Sequence, residues 1–193
     1  MDFKTSKTRT NLINAFAGES QARNRYTFFA SEARKAGFEQ VAAIFTASAD
    51  NEKEHAKLFY KLLMELGGSD VIQVTESYPI VMGDTVMHLA SAIAGEHDEW
   101  QKGYPEMARI AQEEGFAKPA TTFRQVAEAE KAHEERYAKL KHNIETGQAF
   151  KRPMRVRWYC RNCGRVIESE EAPKVCPTCQ HPQAFFELQA DNY

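Results

Sequence analysis

Two Glu-x-x-His pairs, Glu52 with His55 and Glu130 with His133, constrain this 193-residue chain more than any other feature. Each pair lies in a run whose apolar residues recur every three or four positions, the period of one helix face. In residues 38–66 that face reads Val41, Phe45, Ser48, Glu52, His55, Phe59, Leu62 and Leu66. In a helix expected from Pro119 to Gly147 it reads Phe123, Val126, Glu130, His133, Tyr137, Leu140 and Ile144. A three-residue step is nearly one turn, so the Glu and His of each pair project from one side. One such pair in a charged helix is ordinary surface. Two of them, each interrupting an apolar stripe, put carboxylates where an unpaired charge costs several kcal/mol.

Two more stripes carry a misplaced glutamate. Residues 5–36 give Leu12, Phe16, Glu19, Tyr26, Ala30 and Ala33, with Gly37 as a stop; a helix capped by Asp84 gives Val86, Leu89, Ile93, Glu96 and Trp100. Residues 67–82 hold Gly67, Gly68 and Pro79 without a helical period and read as a long crossover. Gly103 and Pro105 are expected to disturb the third helix, leaving a short helical segment to Glu114. The two halves repeat. Tyr26 and Tyr104, Gly37-Phe38 and Gly115-Phe116, and the two Glu-x-x-His pairs are related by an offset of 78, whereas Ala17-Gly-Glu19 and Ala94-Gly-Glu96 differ by 77. One extra residue therefore lies between 96 and 104, and a π-bulge is the expected way to absorb it.

Together the stripes supply Glu19, Glu52 with His55, Glu96, and Glu130 with His133. One Glu from each of two helices and one Glu-x-x-His from each of the other two is the two-metal carboxylate pattern of ferritin-like four-helix bundles. Carboxylates with two imidazoles suit iron or manganese. Glu99 follows Glu96 by three residues, and its counterpart in the first half is Ala22, so the site is expected to be asymmetric. Tyr26 and Tyr104 lie about two turns beyond Glu19 and Glu96 and are candidates to hydrogen-bond ligands. His88, His97, His142 and His181 have no paired partner and are expected at the surface.

All four cysteines fall in two Cys-x-x-Cys knuckles, Cys160 with Cys163 and Cys176 with Cys179. Four thiolates make a tetrahedral site for iron or zinc. Trp158, Tyr159, Phe185 and Phe186 are placed either to shield a redox centre or merely to form the core of a zinc-stapled segment. The change of composition at Lys151-Arg-Pro153 sets a boundary near 150, giving domains 1–150 and 151–193. A net charge of −2 with 27% charged residues carries no bias toward nucleic acid or a membrane surface. The first residues, Met-Asp-Phe-Lys-Thr-Ser-Lys, lack the apolar core of a signal peptide, so a cytoplasmic protein is expected. No Gly-x-Gly-x-x-Gly fingerprint is present, so any reducing equivalents are expected from a separate protein.

Over nearly its whole length the chain resembles the rubrerythrin family. The likeness rests on Ala17-Gly-Glu-Ser-Gln-Ala-Arg-Asn-Arg-Tyr26, Asn51-Glu-Lys-Glu-His55, Ala94-Gly-Glu-His-Asp-Glu99 and both cysteine knuckles. It implies an all-α ferritin-like four-helix bundle with two irons, followed by a small rubredoxin-like domain of short strands and turns holding iron in Cys160, Cys163, Cys176 and Cys179. It implies that Glu52 and Glu130 bridge the irons, that Glu19 is terminal on one and Glu96 with His133 on the other, and that Glu99 and His55 alternate with redox state. The implied activity is reduction of hydrogen peroxide to water in oxidative stress defence, fed by rubredoxin or an NAD(P)H-dependent reductase. A head-to-tail homodimer is implied as well. A ferroxidase or iron-storage protein is the alternative, and zinc in the cysteines of recombinant protein is a further possibility.

Overall fold

The computed structural model describes residues 1–74 and 76–192. Its bundle is built from α1 (Lys7–Lys35), α2 (Glu39–Gly67), α3 (Thr85–Asp98), a π-helical segment (Glu99–Gly103), α4 (Tyr104–Glu113) and α5 (Ala117–Glu145). Local chemistry sets the ends. Ser6 accepts from the Arg9 amide at 3.1 Å and Asp84 from the Met87 amide at 2.9 Å, each satisfying a free N–H of a first turn. Three helices end alike, on Gly37, Gly115 and Gly147 in the left-handed region. After each glycine the next amide reaches back five residues: Phe38 to Ala33, Phe116 to Ala111 and Gln148 to Asn143, at 2.9, 2.8 and 2.7 Å. Only a residue without Cβ adopts that turn at little cost.

The bundle core forms two aromatic plugs. Tyr26, Phe45 and Tyr137 meet with ring centroids 5.8, 5.6 and 5.0 Å apart. Tyr104, Phe123 and Phe59, their counterparts at the 78-residue offset, meet at 6.0, 5.7 and 5.2 Å. The internal repeat is therefore a pseudo-twofold of the packing as well as of the sequence. Each buried ring stabilises the fold by roughly 1.5–3 kcal/mol. The four glutamates and His133 lie between these plugs, buried to 4% exposure or less.

The remaining residues form a three-stranded antiparallel sheet of order β2–β1–β3, from β1 (Lys151–Cys160), β2 (Val166–Glu171) and β3 (Phe186–Leu188). Trp158 is its fully buried centre and donates its indole N–H to the Ser169 carbonyl at 3.1 Å. This unit packs on the end of the bundle where α2 begins and α5 finishes. Phe150 stacks on Phe38 at 6.0 Å with the rings 2° from parallel.

Several expectations change. The disturbance expected at Gly103 takes the form of the π segment, through which the third helix runs into α4, with Pro105 in the first turn of α4, where a missing N–H matters least. α5 begins at Ala117, two residues before Pro119. Leu66 ends its stripe exposed at 36%. His88 is buried rather than superficial, stacked on Phe29 at 4.3 Å, and that burial lowers its pKa and favours the neutral imidazole.

Candidate metal centres

The helical site converges from four elements. α2 contributes Glu52 and His55, α5 contributes Glu130 and His133, α1 contributes Glu19 and α3 contributes Glu96. Their donor atoms fall into two overlapping sets: Glu19, Glu52, His55 and Glu130 in one, and Glu52, Glu96, Glu130 and His133 in the other. Glu52 and Glu130 belong to both. Each offers one oxygen to each set. His55 Nδ1 lies 2.9 Å from Glu52 Oε2 and 2.8 Å from Glu130 Oε1. His133 Nδ1 lies 3.1 Å from Glu52 Oε1 and 2.9 Å from Glu130 Oε2.

These short approaches are within ion-pair distance but outside hydrogen-bond geometry. Both oxygens of Glu52 and of Glu130, and Nδ1 of His55 and of His133, are buried without a hydrogen-bond partner among the described residues. Their lone pairs point at common centres instead. Two donors at right angles and about 2.1 Å from one ion stand about 3 Å apart, which is the spacing found. The residues therefore fit a pair of metal ions, and the donor set suits iron. In the metal-free chain the mismatch appears as displaced pKa values. Burial disfavours the charged form of His55, but Glu130 and Glu52 outweigh it and hold its pKa at about 9. Burial likewise opposes protonation of His133, which its three carboxylate neighbours nevertheless hold at about 12. Burial, with the nearby carboxylates Glu130 and Glu52, pushes Glu96 up to about 8 against the opposing pull of His133, and burial drives Glu19 well above the carboxylate range.

The tyrosines cross between halves. Tyr26 of α1 donates to Glu96 Oε1 of α3 at 2.6 Å, and Tyr104 of α4 donates to Glu19 of α1. Each thus holds the glutamate of the other half, where the sequence named both tyrosines as hydrogen-bonding candidates but not their partners. Glu99 stands in neither donor set; it lies in the π segment and lines a cavity beside the site. Burial and the neighbouring carboxylate of Glu96 hold its pKa well above the usual range. One contributor was missed. Asn51 Oδ1 lies 3.3 Å from His133 Nε2, so an N–H there fixes Nδ1 as the inward lone pair. Its position next to Glu52 is the signal that went unread.

The four cysteine sulfurs also converge. Cys160 Sγ lies 3.8 Å from Cys179 Sγ, and Cys163 Sγ lies 3.7 Å from Cys176 Sγ. Those distances are far beyond a disulfide and match sulfurs about 2.3 Å from one tetrahedral ion, which stand about 3.8 Å apart. Each knuckle turns through a positive φ, at Gly164 and Gln180. The His181 amide directed at Cys179 holds that thiol at about 6, so it is a thiolate at neutral pH.

Two four-donor sets sharing two carboxylates, inside a four-helix bundle with one crossover, define the diiron carboxylate class of ferritin-like proteins. The appended four-thiolate module narrows the class further. The chain belongs to the rubrerythrin family: the Rubrerythrin family model matches residues 10–141 and that of the rubrerythrin rubredoxin-like domain matches 158–187. It is 51% identical to the rubrerythrin of Porphyromonas gingivalis over 191 residues, which is 98% of this chain and 94% of that protein. A solved structure of nigerythrin in its fully reduced, all-ferrous state shares 31% identity and a TM-score of 0.65, covering 98% of this chain and 94% of that one. The bacterioferritin of Desulfovibrio desulfuricans, at 23% identity and a TM-score of 0.67 over 74% of this chain and 82% of that one, shares the bundle fold. The chain thus carries a diiron site of the ferritin-like kind and a rubredoxin-like four-cysteine site. Among the described residues no helix is long and apolar enough to cross a membrane.

Proposed function

We propose that this chain is a non-haem diiron peroxidase that reduces hydrogen peroxide to water, with electrons delivered through iron held by Cys160, Cys163, Cys176 and Cys179. The observation that carries the reading is the pairing of a two-metal carboxylate site with a four-thiolate module in one chain. Iron storage needs no electron inlet, whereas a peroxidase consumes two electrons and two protons for each peroxide converted to two waters. Iron at the paired site supplies those two electrons when bound. Glu52 and Glu130 are read as the shared carboxylates, Glu19 as terminal in one set, and Glu96 with His133 as terminal in the other. His55 and Glu99 are read as alternative ligands at the Glu19 position. His55 already stands among the donors while Glu99 waits outside them, which supports that exchange. Tyr26 and Tyr104 hold protons against Glu96 Oε1 and Glu19, and the aromatic plugs keep bulk water from the ends of the site.

The division into domains 1–150 and 151–193 belongs to the same reading, the strand-rich part serving as the electron relay. Phe38, against which that part packs, lies fourteen residues before Glu52, about 21 Å along the helix at roughly 1.5 Å per residue. That span favours a head-to-tail homodimer in which one subunit's relay serves its partner's iron pair. A dilution-stable, fully active monomer would contradict it. The test of activity is to reduce the iron-loaded protein anaerobically and add one equivalent of peroxide. Reoxidation is expected to be at least tenfold faster, on the order of a 1.4 kcal/mol lower barrier, than with equimolar dioxygen. Equal or slower reoxidation favours the ferroxidase reading.

A further inference from the structure

The pseudo-twofold of the bundle is broken on one side by a cavity. It lies between α1 and α3 beneath the crossover, and reaches from Glu76 to Pro79 at the surface down to Glu99 and Tyr104. Its floor therefore touches the site, since Tyr104 holds Glu19. Two helical glycines, Gly18 and Gly95, open its walls. They are equivalent in the internal repeat, each preceding a glutamate of the donor sets. A Cβ at Gly18 would meet nothing within 4 Å, and one at Gly95 only the tip of Arg25 at 4.0 Å. Glycine inside a helix is unfavourable, so two at matched positions call for a reason in the space they leave.

Arg25 supplies a second, independent observation. It lines the same cavity, and its Nε donates to Gln21 Oε1 at 2.6 Å. Its Nη1 is buried and has no hydrogen-bond partner among the described residues. A buried guanidinium N–H left unpaired is costly unless something else accepts from it. Glu99 lines the same space with a carboxyl group whose carbonyl oxygen can accept. A donor and an acceptor in one small cavity match hydrogen peroxide, which has both lone pairs and O–H groups. They offer nothing to dioxygen, which has no O–H and accepts hydrogen bonds poorly.

We propose that this cavity is the passage by which peroxide reaches the metal pair, and that Arg25 is a specificity-determining residue whose guanidinium receives it beside Glu99. The proposal rests on the peroxidase reading, and the experiment separates the two. Iron-loaded full-length wild type and Gly18→Leu are compared for the rate at which azide enters the oxidised protein, followed by its absorption band. They are also compared for reoxidation of the reduced protein by peroxide. Gly18→Leu projects into the passage from a position where its Cβ meets nothing within 4 Å, and is expected to slow azide entry about tenfold or more, with iron content unchanged and melting temperature not lowered. Ser77→Trp plugs the same passage from the crossover, outside the helices, and is expected to act alike should Gly18→Leu not fold. Unchanged azide entry in a folded plugged variant overturns the passage. Slowed azide entry in a protein whose wild type prefers dioxygen leaves the passage standing and removes the peroxidase reading. Arg25→Met is expected to lower the ratio of peroxide to dioxygen reoxidation rates about tenfold, with Arg25→Lys recovering part of it. An equal fall in both rates, or no fall, overturns the role of Arg25.

Discussion

At the scale of single residues, the donor set without metal is balanced by protons that a metal ion must displace. His55 and His133 have pKa values of about 9 and about 12 without metal, so both are protonated at neutral pH. Ligation requires their lone pairs, hence iron uptake must displace protons. Apparent iron affinity is expected to rise with pH by about tenfold per unit for each proton displaced, measurable by proton release in weakly buffered titrations. The same groups set the stability of the metal-free chain. His55 has a folded value above its ordinary 6.5, so its contribution is complete below pH 6.5 and is lost as the pH rises through about 9. Glu96 and Glu19 act in the same sense, because a carboxyl held protonated in the fold loses ground as the pH climbs above its ordinary 4.5. The melting temperature of metal-free protein is expected to fall on the order of 5 °C between pH 6.5 and 9, while the iron-loaded form does not follow it. A metal-free melting temperature that rises over that interval would refute the assignment.

At the scale of elements, the π segment is the asymmetry that matters. Tyr104 N–H reaches back to the Glu99 carbonyl, a five-residue step that takes up the one residue by which the second half exceeds the first. The segment swings Glu99 toward the cavity while keeping Tyr104 on Glu19. Deleting Gln101 would restore a plain α-ladder and make the second half follow α1, where Ala22 stands in place of Glu99. The bundle is expected to fold and bind metal, with peroxide reoxidation slowed about tenfold or more in stopped flow. A continuous helix with unchanged reoxidation would leave the segment without that role. This element also marks how much was legible beforehand. The repeat offset exposed the insertion, and the interrupted stripes named every member of both donor sets, because burying charge is too costly to be accidental. The cross-pairing of Tyr26 and Tyr104 was not legible, since helix periodicity fixes a face and not the partner across the core. His88 was misplaced for a related reason: a lone histidine can stack in the core as a neutral ring, and nothing in its own stripe distinguishes the two fates.

At the scale of the whole molecule, the question is which iron pair each four-cysteine module serves. The module packs at the Phe38 end of its own bundle, while the donor sets lie mid-helix between the two aromatic plugs. Electron transfer within the chain would have to cross one plug, Tyr26, Phe45 and Tyr137, lengthwise. Transfer between subunits predicts complementation. A chain with Cys163→Ser lacks the relay but keeps the helical site, and a chain with Glu52→Ala keeps the relay but loses the shared carboxylate of both donor sets. In the proposed homodimer, each variant alone is expected to be inactive in steady-state peroxide turnover, although Cys163→Ser retains a single reoxidation after chemical reduction. Mixed by co-expression, the two chains form hybrids in which the relay of one faces the intact site of the other. If transfer is between subunits, each hybrid has one working pair, and an equal mixture recovers roughly a quarter of wild-type turnover, since about half of the dimers are hybrid. If transfer stays within a chain, no pairing restores it, because no single chain holds both centres.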